Sequence, residues 1–393
     1  MLLIKRILSE GFRVFFLFAG LYGVFTGLIW TTWLLAQGTD TSSFLQVTNP
    51  QLWHSHEMIF GYAGAAMGGF FLTAVPNWTN TPAARTSFLT IAAGCWLAGR
   101  LAMWFSGGLP PWSVAAMDLV FVPILALKIA TQLIKRPKPQ NMMFLLILTL
   151  LWLGNLSVHL ELTGVLEDSA NSGLRAGLFA LCAMIVVLGG RITPAFTRNA
   201  MKREGVAEAH WPVSVQPIER ASVVLALALP VLVLFQTPNW APGGVALILG
   251  VVQIVRVIRW RGDWAWQQPI LFALHLSLGM LGVGLILWGA AAFDFGDEVS
   301  ALHLVGIGGV GGMTLAVMSR AALGHSGRPL VAPKAMSLAY GLLAVTAFAR
   351  WGAAMVETET YFVMMGGISL LWALVFILFT LSMWPALTQP RVK

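Results

Sequence analysis

Apolar residues recur along the chain in twelve long runs separated by short polar or charged stretches, at 12–37, 54–77, 86–105, 113–134, 142–163, 173–195, 219–236, 241–259, 268–292, 300–321, 332–354 and 361–387. A helix crosses a hydrocarbon core of about 30 Å with about 20 residues, and each run is of that order. The pattern predicts an all-α polytopic membrane protein of twelve transmembrane helices. Residues 1–393 then form a single integral membrane domain. The longest loop, 196–218, is too short for a soluble domain.

The polar positions between the runs orient these helices. Only 10% of residues are charged and 58% are hydrophobic, where soluble domains carry about 25% charged residues. Basic residues cluster in alternate stretches: Lys5, Arg6 and Arg13; Arg85; Lys135, Arg136 and Lys138; Arg198, Lys202, Arg203 and Arg220; Arg256, Arg259 and Arg261; Arg320, Arg328 and Lys334; Arg391 and Lys393. The intervening loops hold Asp40, Glu167, Asp168, Asp294, Asp297, Glu298, Glu357 and Glu359. The positive-inside rule places both termini and every even-numbered loop in the cytoplasm, with Arg175 the exception on the outer side. The formal net charge of +8 therefore reads as topology, with no nucleic-acid partner implied. An uncleaved first helix with no targeting segment is expected, which fits a bacterial inner membrane. Cys95 and Cys182 fall inside runs and suggest no structural disulfide.

Adjacent glycines stand at Gly68–Gly69, Gly189–Gly190 and Gly311–Gly312, in runs two, six and ten, at steps of 121 and 122 residues. NLSVH at 155–159 in run five echoes HLSLG at 275–279 in run nine. The economical reading is three four-helix repeats, 12–134, 142–259 and 268–387, related by a pseudo-threefold axis along the membrane normal. Glycine at matched depth lets helix backbones approach closely.

Five of the seven histidines, His54, His56, His159, His275 and His303, fall in apolar stretches. Ionisable groups inside a membrane are costly and point to function. A single hydrogen bond explains each histidine taken alone; four gathered toward the outer face point to a bound metal or haem. His54 and His56 are two apart, so on a helix they diverge by about 200° and cannot easily grip one ion. They serve two sites, or one belongs to the loop. Counted from the glycine pairs, His303 and His56 differ in depth by about 6 Å, so facing helices could offer both to one haem iron. His275 lies deeper, nearer the cytoplasmic half. Arg100 and Arg350, near the outer ends of runs three and eleven, are candidate partners for haem propionates, with snorkelling to the interface as the alternative. No phosphate loop, dinucleotide fingerprint, Cys-x-x-Cys pair or C-x-x-C-H attachment site occurs, so a covalently attached c-type haem is not expected, and the expectation is a b-type haem with other non-covalent types left open.

Three segments carry a specific likeness: HSHEMIFGYAGAAMGGFFLTAVPNWT at 54–79, GGRITPAFTRNAM at 189–201 and HLVGIGGVGGMTLAVMSRAALGHSGRP at 303–329. With them, nearly the whole chain resembles the NnrS family of bacterial membrane proteins. The resemblance implies a twelve-helix inner-membrane protein holding haem, with copper as an open second metal, associated with denitrification and relief of nitrosative stress. Its motif carries onto His54, His56, Glu57 and His303 without saying which are ligands. A more distant likeness is to the catalytic subunits of haem–copper oxidases and nitric oxide reductases. Those have three four-helix arcs and a low-spin haem between helices two and ten. Their binuclear metal needs histidines on helices six and seven, and runs six and seven here hold none, so the analogy supports one haem and not a full oxygen-reducing centre.

The function expected is therefore a haem protein that senses, binds or reduces nitric oxide, a small ligand able to arrive through the lipid bilayer. A nitric oxide reductase-like activity stays open; it would need an electron donor and protons, with Glu57, Asp118 and Glu161 as candidate proton carriers. The alternatives are a twelve-helix transporter of a metal, metal complex or small solute, or an assembly factor handling haem or copper for respiratory enzymes.

Overall fold

Each apolar run folds as a helix in the computed structural model, which describes residues 2–37, 46–47, 49–353 and 358–392. Asp40, Glu357 and Lys393 of the charge pattern lie outside the described residues, as does the side chain of Glu359. The long helices are α1 (Gly11–Leu35), α2 (Pro50–Thr79), α3 (Thr86–Trp104), α4 (Pro111–Leu133), α5 (Pro139–Leu162), α6 (Ala170–Arg203), α7 (Gln216–Leu234), α8 (Trp240–Arg259), α9 (Pro269–Ala291), α10 (Glu298–His325), α11 (Lys334–Gly352) and α12 (Thr358–Thr388). Among the described residues, eleven are long and apolar enough to cross a membrane. The chain is thus an all-helical, polytopic membrane protein. The expectation of twelve crossings falls one short by this measure, at α11. Lys334 and Arg350 lie within its 19 residues, and their charge dilutes a stretch that also holds serine, glycine and tyrosine.

Both chain ends meet at one end of the bundle. Arg13, at the start of α1, donates from Nη1 to the carbonyl oxygens of Ala386, Leu387 and Gln389 at 3.1, 3.2 and 2.9 Å. The first two carbonyls belong to the last turn of α12 and the third to the residue just after it, where no further turn supplies N–H partners.

Burial sorts the helices into centre and rim. α2 and α6 bury 78% and 83% of their most apolar stretch, while α7 buries 28% and otherwise faces outward. α2, α6 and α10 each touch the other two. Around them, α1, α5 and α9 each pack on the helix that follows and also on α12, α4 and α8 respectively. Small residues permit these approaches. A Cβ at Gly69 would come within 2.6 Å of the Phe16 ring, and one at Gly312 within 2.5 Å of Ser277 Oγ.

Three irregularities lie at the opposite end from the termini, and all adjoin histidines or acids. α2 widens to a π-helix over Glu57–Tyr62, directly after His56. α10 does the same over Leu304–Gly311, directly after His303. π turns spoil the regular ladder and recur at functional sites. α4 breaks at Val120, just beyond Asp118. Pro123 has no N–H to give the Leu119 carbonyl four residues back, and Trp152 Nε1 of α5 donates to that oxygen instead at 3.0 Å.

Candidate functional site

His54 and His56 stand on different faces of α2 and enter two separate environments. His56 is fully buried in a polar network assembled from five helices. Its Nδ1 lies 2.8 Å from Glu57 Oε1, while its Nε2 lies 2.8 Å from Asn155 Oδ1 and 3.2 Å from Asp118 Oδ2. His159, one helical turn beyond Asn155 on α5, brings Nε2 to 2.9 Å from the same Asp118 oxygen. Asn155 Nδ2 donates to it at 2.7 Å. Arg100 of α3 bridges the two carboxylates, pairing with Asp118 through Nη2 and lying 3.2 Å from Glu57 through Nη1. Tyr22 of α1 donates its hydroxyl to Glu57 Oε2.

This network has room for a cation in both charge and hydrogen bonding. One guanidinium set against two carboxylates leaves a net negative charge in a medium that penalises unpaired charge. Both His56 nitrogens face oxygen acceptors, yet a neutral imidazole has a single N–H. One contact therefore lacks a proton unless the ring is doubly protonated or a metal takes the Nε2 lone pair. Ligand atoms of His56, Asp118 and His159 all lie within 4.8 Å of one another, and all three residues are buried. Two imidazoles and one carboxylate suit a first-row transition metal such as copper, zinc or iron. Glu57 would then accept from Nδ1 of a metal-bound histidine, the usual way such a ring is held. These residues fit a metal, and the group could hold one.

His54 and His303 belong to the second environment, a cavity of about 280 Å³ among α1, α2, α6, α10, α11 and α12. Its walls are largely apolar, with Met58, Leu178, Ile307, Val310, Ile368 and Trp372, and Arg175 and Arg350 add two cations. The His54 ring stacks on Trp30 with centroids 4.1 Å apart and planes 11° apart. Its Nδ1 is buried without a hydrogen-bond partner among the described residues. His303 Nδ1 donates to the Val299 carbonyl at 2.7 Å, which leaves its Nε2 lone pair available to a ligand. Two imidazoles from facing helices can serve as axial donors, an apolar lining suits a porphyrin and cations at the wall suit its propionates, so the donor set fits that group.

The sequence candidates thus divide. His54, His303 and Arg350 share the cavity; His56, His159 and Arg100 share the network. Arg100 is committed to Glu57 and Asp118 and does not line the cavity. His275 joins neither group, because its Nε2 meets Thr197 Oγ1 at 2.9 Å toward the opposite end of the bundle. Glu161 caps α6, accepting from the Ala170 N–H at 2.7 Å. Sequence reasoning did not single out Tyr22, Asn155, Trp30 or the cavity role of Arg175. Asn155 did carry a signal, since it precedes His159 by four residues and so shares its helix face.

The sequence model of one protein family, described as NnrS protein, matches residues 6–391. Among curated proteins, none matches the chain.

Proposed function

Since the chain belongs to the NnrS family over nearly its whole length, we propose that it is a haem-binding inner-membrane protein acting in nitric oxide metabolism or the relief of nitrosative stress. The observation that carries the reading is the shared cavity: His54 of α2 and His303 of α10 line one apolar space with Arg350. These are helices two and ten, where the resemblance to the haem–copper oxidase architecture expects the haem. Bound there, b-type haem would supply a redox-active iron with affinity for a small diatomic ligand such as nitric oxide. The protein's own part is to present Nε2 of His303, oriented by the Val299 carbonyl, to exclude water with the apolar wall, and to balance acidic groups with Arg350. A second metal, copper being the open candidate, belongs to His56, Asp118 and His159.

The same reading sets the chain in the bacterial inner membrane with twelve crossings, cytoplasmic termini and the histidine end facing outward. The charge pattern of the loops and the meeting of both termini at Arg13 support it. The cyclic contacts of α1, α5 and α9 around central α2, α6 and α10 support three related four-helix units.

A reduced-minus-oxidised visible spectrum of the purified protein tests the proposal. A Soret band is expected, lost in His54→Ala and in His303→Ala and kept in His56→Ala. A colourless wild-type preparation, or a band indifferent to His303, overturns it. Nitrous oxide formed from nitric oxide with an artificial electron donor would add catalysis to binding.

A further inference from the structure

Arg175 stands in a wall between two cavities. On one side is the apolar cavity of His54 and His303; on the other is a polar cavity of about 480 Å³ lined by Asp168, Gln236, Asn239, Trp288, Asp294 and Glu298. Arg175 and Asn171 line both.

The guanidinium is fixed from the polar side. Nε and Nη2 donate to Glu298 Oε1 and Oε2 at 2.6 and 3.0 Å, and Trp288 Nε1 also donates to Oε1 at 3.2 Å. This forked pairing orients the planar group and leaves Nη1 with no protein acceptor among the described residues. Glu298 opens α10, the helix that carries His303, so the pair also ties the cation to the helix of a proposed ligand. A half-exposed ion pair at such a boundary contributes little to stability. A guanidinium with an uncommitted N–H at the edge of an apolar chamber is placed to meet an acidic group on an otherwise apolar ligand.

We propose that Arg175 anchors a carboxylate of the cavity's ligand, so that the ligand's acidic edge lies against the polar cavity and its apolar body lies between His54 and His303. This rests on the haem reading, which makes that carboxylate a propionate. Glu298 is a positioning residue that holds the guanidinium without touching the ligand.

Full-length protein purified from haem-starved cells is titrated with haem and with haem dimethyl ester, whose propionates are blocked. Wild type is expected to prefer the free acid by about tenfold, the scale of one charge-assisted hydrogen bond lost. Arg175→Gln is expected to erase that preference, the free acid and the ester then binding with equal affinity. If Arg175→Gln does not accumulate in membranes, Glu298→Gln, which keeps the cation but releases it from its position, is expected to lower the preference by about threefold or more. A preference that survives Arg175→Gln, or stays unmoved in Glu298→Gln, overturns the assignment while haem binding itself stands. Failure of wild type to take up either porphyrin instead overturns the haem reading, and the assignment with it.

Discussion

At Arg100 two carboxylates meet one cation where no bulk water shares the charge, and the side chain is 6% exposed. Removing one partner of such a buried group leaves uncompensated charge, which costs about 3–5 kcal/mol. Arg100→Gln is therefore expected to lower the stability of the purified protein by that order in denaturant unfolding. Adding Asp118→Asn should recover part of the loss, because it removes one of the two orphaned acids. Equal instability of single and double variants would mean that the network is not held by charge. The metal reading makes its own demand at this scale. His56→Ala, Asp118→Asn and His159→Ala should each bring non-haem metal to background by elemental analysis. Glu57→Gln should weaken retention against a chelator by about 10–100-fold, the usual cost of losing such a supporting contact. Full metal content in Asp118→Asn would remove the site. That His54 and His56 part company was readable from helix geometry alone. That Asp118 lies between His56 and His159 was not, because three helices supply the three residues and no spacing along the chain encodes that meeting.

At the scale of the helix, the glycine pairs were informative and the π turns were silent. Paired glycines announce close backbone approach, and the structure shows what they approach. A side chain at Gly69 meets the ring of Phe16 and, at 3.1 Å, Phe15 Cβ, both buried. Overpacking of that kind costs about 1–3 kcal/mol, so Gly69→Val is expected to lower the unfolding temperature clearly. Gly94 has nothing among the described residues within 4 Å of an added Cβ, and Gly94→Ala should leave it unchanged or slightly higher, since alanine is the better helix former. Matching effects at the two sites would show that glycine acts through backbone freedom and not through contact. The widened turns after His56 and His303 left no residue signature, since the wide hydrogen-bond spacing follows from what the helices pack against. The Gly61 carbonyl inside the first of them accepts from Trp96 Nε1 at 3.0 Å, a bond between helices that no local sequence pattern specifies.

Across the whole molecule, the ambiguous helix is α11, and its direction follows from where its neighbours end. The Val392 N–H donates to the Ser326 carbonyl at 2.9 Å, joining the chain just beyond α12 to the chain just beyond α10. Arg13 brings the start of α1 to that same place. α10 and α12 therefore run the same way through the bundle, and α11 between them runs back, as the proposed twelve crossings require. The weak hydropathy that set α11 apart measures its composition, whereas its path is fixed by the helices around it. The loop charges reach the same topology independently, because Arg320, Arg328, Lys334 and Arg391 all gather at this end. Cysteine labelling separates twelve crossings from eleven. In a background with Cys95 and Cys182 replaced by alanine, Leu166→Cys between α5 and α6 should react with a membrane-impermeant thiol reagent in intact spheroplasts. Val331→Cys and Val392→Cys, both at exposed positions, should react only after the membrane is opened. Were α11 to stay on one side, Val392→Cys would label in intact spheroplasts while Val331→Cys did not, and the terminus could not lie beside Arg13.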